Sequence, residues 1–178
     1  MSLEVLNNDK NICFFNSPIK IITIYQDYQY DQSDHDSLTS AERNYLFKTL
    51  EDFSPEVKTG RTTKLNGLGL TVKYPQPSII GGSPFDAIRY ESTSDELVYV
   101  LTPTQAACYF LTLEDEKLTQ ENLNLLLKKQ PINIKKIEFS ARTESQFIEN
   151  YKKFKDKIAE AQSKTVLKLK EIKKLPIK

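Results

Sequence analysis

From Thr143 to Leu175 the chain carries no glycine and no proline, and Pro176 ends the run. A stretch of that length without a backbone breaker has few options, and its periodicity selects one. Phe147, Tyr151, Phe154 and Ile158 recur at spacings of four, three and four residues, which places them on one face of an α-helix. Thr143 and Gln146 fit a capping box, and Glu144 falls in the first turn, where a carboxylate complements the helix dipole. After Ala161 and Gln162 the apolar stripe resumes, slightly rotated, at Val166, Leu169 and Ile172. About 30 helical residues would span roughly 45 Å. The reading is a long amphipathic helix whose first half packs on the rest of the protein, leaving the part after Gln162 to reach a partner.

Charge is distributed unevenly about this helix. Tyr151 to Lys178 hold ten lysines against three acids, a net +7; with the whole chain at +1, residues 1–150 carry −6. The sequence therefore divides into an acidic body, 1–142, and a basic helix with a tail, 143–178, together forming one domain. Three readings of the basic face compete. It is a solvated face on a docked helix, a surface for another protein or an oligomer partner, or a binder of nucleic acid or an anionic membrane surface. The cations of this segment are all lysine, with no arginine for bidentate contacts, and the pI near 7.6 is low for a nucleic-acid-binding domain.

Upstream, Ile12–Phe15 is a short apolar run, and Ile19–Tyr30 reads as a strand with apolar residues on both faces. Residues 31–36, DQSDHD, form a polar loop containing the only histidine, His35, without the spacing of an EF-hand. Thr39 and Glu42 fit a capping box, and the helix they open ends near Pro55. Arg61–Tyr74 reads as strand, with Asn66-Gly67 suited to a type I′ hairpin turn. Asp86–Glu91 and Glu96–Thr102 read as a strand hairpin. Thr104–Leu111 and Thr119–Lys129 read as short helices, and Ile132–Ser140 as a further strand. Clustered, hairpin-linked strands indicate an α+β fold with a mostly antiparallel sheet, several short helices and one long C-terminal helix.

The chemistry-bearing motifs are sparse. A single histidine and two cysteines, Cys13 and Cys108 in apolar surroundings, supply neither a zinc cluster nor a disulfide framework. Neither G-x-G-x-x-G, G-x-S-x-G nor a phosphate loop occurs. Pro84-Phe85-Asp86 is followed, after nine intervening residues, by Glu96-Leu97-Val98. This arrangement resembles the acid-on-a-hairpin layout of the PD-(D/E)XK nucleases. In that family an Asp and a Glu hold a divalent cation, and a Lys two residues after the Glu supports the attacking water. Val98 stands at the lysine position, so the resemblance implies at most a degenerate nuclease-like domain through Asp86 and Glu96.

The sequence thus points to a non-enzymatic protein that works through contact with another protein, as an inhibitor, an immunity-type protein or an accessory subunit. Its expected contact residues are Lys164, Lys168, Lys170, Lys173 and Lys174 on the helix, with Tyr28, Tyr30 and Tyr74 as exposed aromatics. The alternative phosphate-binding set is Lys152, Lys153, Lys155 and Lys157. No metal and no cofactor is expected. No apolar run reaches the ~20 residues of a membrane span, and reduced cysteines without a secretory N-terminus point to the cytoplasm.

Overall fold

The computed structural model describes residues 2–16, 18–25, 38–59, 62–74, 94–140 and 145–173. Its centre is a six-stranded mixed sheet in the order β1-β2-β6-β5-β4-β3. The strands are β1 (Ile12–Asn16), β2 (Lys20–Ile24), β3 (Pro55–Thr59), β4 (Thr62–Leu65), β5 (Leu70–Lys73) and β6 (Leu97–Leu101). The helices are α1 (Ser40–Thr49), α2 (Pro103–Leu111), α3 (Glu116–Leu127), α4 (Ile134–Ser140) and α5 (Ser145–Lys173), with short 3-10 helices at Leu3–Asn8 and Glu51–Phe53. The fold is α+β, as expected.

Antiparallel pairing joins β1 to β2, β3 to β4 and β4 to β5. Strand β6, however, lies between β2 and β5 and is parallel to both. Over Val98 and Tyr99 both of its edges are occupied, by β2 and β5; residues 86–91, read from the sequence as its hairpin partner, lie outside the described residues.

Alternation along the strands divides the core in two. Cys13, Phe15, Ile21, Tyr99 and Leu101 face α2 to α5. Ile12, Phe14, Ile22, Ile24, Val98, Val100 and Val72 face the N-terminal 3-10 helix, α1 and Phe53. Strands buried on both sides read as continuous apolar runs, which explains the ICFF and IKIITI segments.

Three local readings change. Ile132–Ser140 is not a strand: Ile134–Ser140 is α4, because Asn133 caps it, its Oδ1 accepting the Lys136 amide at 3.2 Å. The proline at 55 does not merely end a helix; it opens β3, the strand at one end of the sheet. The amide donation from Thr71 to the Glu96 carbonyl fixes which way β5 points. Alternation from there across the ladder turns Pro55 and Val57 toward the edge that no described strand pairs, where a missing N–H breaks no bond among the described strands. The β4–β5 turn spans Asn66–Gly69, and its left-handed residue is Gly69 (φ 67°) rather than Gly67.

The two sheet edges are protected differently. Asn7 shields β1: its Oδ1 accepts the Phe14 amide at 2.7 Å and its Nδ2 donates to the Phe14 carbonyl at 3.0 Å. The Lys129 ammonium donates to the carbonyls of Asn7, Asp9 and Ile12. Strand β3 is blunted instead by Pro55 and by a register shift between Val57 and Thr59.

Candidate interaction surface

Helix α5 is fixed first by apolar side chains. Phe147, Phe154 and Ile158 enter the core under α2 and α3. Tyr151 packs beside them and its hydroxyl donates to the Glu138 carboxylate at 3.1 Å. Burial, then Glu138, pushes that phenol up to about 12. The Thr143 half of the expected capping box lies outside the described residues, while Gln146 Nε2 donates to Asn150 Oδ1 at 3.3 Å.

Polar side chains complete the docking. The last carbonyls of a helix have no partner within it. Asn150 Nδ2 donates to the Leu111 and Leu113 carbonyls at the end of α2, both at 2.8 Å. Thr165 Oγ1 donates to the Leu127 carbonyl at the end of α3. Gln162 makes a reciprocal pair with one backbone residue: its Oε1 accepts the Ile132 amide at 3.0 Å and its Nε2 donates to the Ile132 carbonyl at 2.8 Å. Gln162, Thr165 and Leu169 are all buried. Docking therefore does not stop near Gln162, as the apolar pattern implied; it runs through Leu169, and only the outward face of the second half is open.

Helices α3 and α5 run parallel. Lys153 meets Glu116, Lys157 Nζ lies 3.5 Å from Gln120 Oε1, and Thr165 reaches Leu127, a nearly constant offset in sequence. Lys153 and Lys157 thus line the α3 side, and Lys157 also sits 5.6 Å above the Phe154 ring. Lys152 and Lys155 are exposed around the other side of the cylinder, so the four expected phosphate-binding lysines do not share one face.

Further along, Lys164 and Lys168 are exposed, and Lys164 pairs with Glu160 one turn earlier at 2.6 Å. The lysine holds the Glu160 carboxyl below the usual range. Between them stands Leu167, 60% exposed. The backbone of Lys170 and Lys173 belongs to α5, whereas their side chains, and all of Lys174, lie outside the described residues.

Tyr28, Tyr30, Asp86 and the 31–36 loop with His35 also lie outside them. Tyr74 is described, and it is not an exposed aromatic. Only 8% of it is accessible, and the Arg43 guanidinium sits 5.4 Å from its ring centroid. Glu96 is exposed in the turn before β6, and Val98 is buried in the sheet core, where a charged side chain would be unsolvated. Among the described residues no group of three or more His, Cys, Asp or Glu is placed to hold a metal ion. Cys13 and Cys108 are buried thiols that form no disulfide, and burial pushes the Cys13 thiol up to about 11. No helix among the described residues is long and apolar enough to cross a membrane.

Residues absent from the sequence reading do much of the fastening. Gln130, fully buried, donates to the Asn11 and Thr23 carbonyls and accepts the Thr23 hydroxyl at 2.6 Å. The signal for Asn150, Gln162 and Thr165 was present: each is a polar residue in phase with the apolar stripe. Compared with protein-family models, with curated proteins and with solved structures, the chain matches none.

Proposed function

We propose that this chain is a non-enzymatic protein–protein interaction protein, acting as an inhibitor, immunity-type protein or accessory subunit, and that the outer face of α5 is its contact surface. The observation that carries the reading is Leu167, a large apolar side chain 60% exposed amid exposed Glu160, Ser163, Lys164, Lys168 and Glu171. An exposed leucine alone is ordinary. This one lies on a helix whose opposite face is held by core packing and by side-chain bonds to the backbone of neighbouring elements. A surface held in this way loses little conformational entropy when a partner arrives.

The test compares two exposed apolar residues. Wild type, Leu167→Asp and Val57→Asp are used to retrieve partners from the native host, with folding checked by circular dichroism and self-association by light scattering. A partner, or a second copy, lost with Leu167→Asp and kept with Val57→Asp supports the reading. Equal retention by both variants overturns it. Retrieval of nucleic acid that responds to Lys152 and Lys155 instead would favour the phosphate-binding alternative.

A further inference from the structure

The parallel α3–α5 pair is electrically polarised along its length. At its N-terminal end Glu114, Asp115 and Glu116 are exposed at the start of α3, where Asp115 also caps the helix by accepting the Leu118 amide at 3.0 Å. The two lysines of α5 that face α3 at that level have answering groups: Lys153 pairs with Glu116, and Lys157 approaches Gln120, while Lys152 and Lys155 lie on the other side of the helix. At the other end α3 offers no acid. The Thr165 bond to the Leu127 carbonyl sets Leu127 beside this turn of α5, so the exposed Lys128 that follows lies at the level of Lys164 and Lys168. Lys129 does not add to this surface, because its ammonium is turned onto the carbonyls of Asn7, Asp9 and Ile12. Two exposed acids of α5, Glu160 and Glu171, share this end with the three lysines; Glu160 is bonded to Lys164, and that pair is exposed on both sides, a geometry worth little against a competing carboxylate.

We infer that Lys128, Lys164 and Lys168, with Leu167 beside them, form a docking pole for an acidic, leucine-bearing segment of another protein. The inference rests on the proposed function and deepens it by assigning the partner's chemistry. Carboxylates would face the three ammonium groups, and an apolar side chain would cover Leu167. Lysine suits this role because single ammonium–carboxylate contacts need no bidentate fork. Exposed charges of this kind act chiefly on the encounter rate and on partner choice, so the contact is sensitive to salt.

The test uses a fluorescent amphipathic peptide of glutamate and leucine, with an oligothymidylate of equal charge as comparator, titrated against the full chain by anisotropy. The peptide is expected to bind more tightly than the oligonucleotide and to weaken as salt is raised. Lys128→Gln, Lys164→Gln and Lys168→Gln together should weaken it about tenfold, each alone about twofold. Lys152→Gln with Lys155→Gln, on the other side of α5, should change it less than twofold. Absence of peptide binding at low salt, indifference to the three substitutions, or equal or tighter binding of the oligonucleotide each overturns the inference. If the native partner is still lost with Leu167→Asp while the peptide result fails, the proposed function stands and the acidic chemistry alone is wrong.

Discussion

The two halves of α5 are held to the same body by different physics. Up to Ile158 the helix buries Phe147, Phe154 and Ile158, and the attraction is removal of apolar surface from water. From Gln162 onward it is held largely by directed bonds to the Leu127 carbonyl at the end of α3 and to the Ile132 backbone between α3 and α4, with Leu169 as the buried apolar residue among the described side chains. A reading by apolar letters sees a stripe that rotates at Gln162. The packing shows a stripe that continues straight through Gln162, Thr165 and Leu169, with polar residues in phase. The difference teaches that a buried helix face need not be apolar where it crosses the ends of other helices. There a side-chain amide or hydroxyl donates to backbone carbonyls outside the regular helix bonding.

The comparison can be broken at three points. The largest effect is expected from Phe154→Ala, which removes an aromatic side chain from a filled core and should cost about 3–5 kcal/mol in urea unfolding. A loss below about 1 kcal/mol would mean the first half is not held by burial.

Gln162→Ala comes next, at about 2 kcal/mol, because it removes two buried hydrogen bonds to the Ile132 backbone at once. Gln162→Leu restores bulk without donors or acceptors and should recover little of that loss. Full recovery would show that the second half is held by burial after all.

The smallest effect is in pH dependence. The Tyr109 and Tyr151 phenols stand at about 12 in the folded protein, raised from 10.0, in both cases chiefly by burial. Each folded-state value lies above the unfolded one, so this stability is fully present below pH 10 and is lost as pH rises toward 12. Tyrosinate absorbance should show Tyr109 and Tyr151 among the late-titrating groups, and Tyr151→Phe should remove one late-titrating group and flatten the alkaline loss of stability. Loss of a group titrating near 10 in Tyr151→Phe would refute the environment described for that phenol.

Much of the fold was legible because its signals are local. Thr39 and Glu42 form the expected capping box, with the Glu42 amide donating to Thr39 Oγ1 at 3.2 Å and Glu42 returning to the Thr39 amide at 2.8 Å. Helix α2 is read from Pro103 at its start, and the structure adds a second capping box between Thr102 and Gln105. What misled the reading was context. INIKKIEF carries strand-like isoleucines, yet the Asn133 cap and the space beside α2 make it a helix, with Thr104 Oγ1 accepting the Asn133 amide at 2.7 Å. Tyr74 looked like a surface aromatic because nothing in its neighbours announces that Arg43, on α1, covers it. Of the proposed interaction surface, Lys164 and Lys168 were legible from charge. Leu167 and Lys128 were not, since their significance depends on which way a helix is turned and which end of α3 it meets.

By itself the sequence determined the α+β class, the positions of most elements, the length of α5 and the basic character of its exposed residues. These depend on period, caps and composition, which act over a few residues at a time. Tertiary structure alone decided that β6 is a parallel central strand, because neighbours in a sheet are chosen across the whole chain. It decided likewise that α5 stays docked beyond Gln162. The carbonyls that hold it there belong to residues 127 and 132, 38 and 30 positions from their donors, and no local pattern can show that they meet.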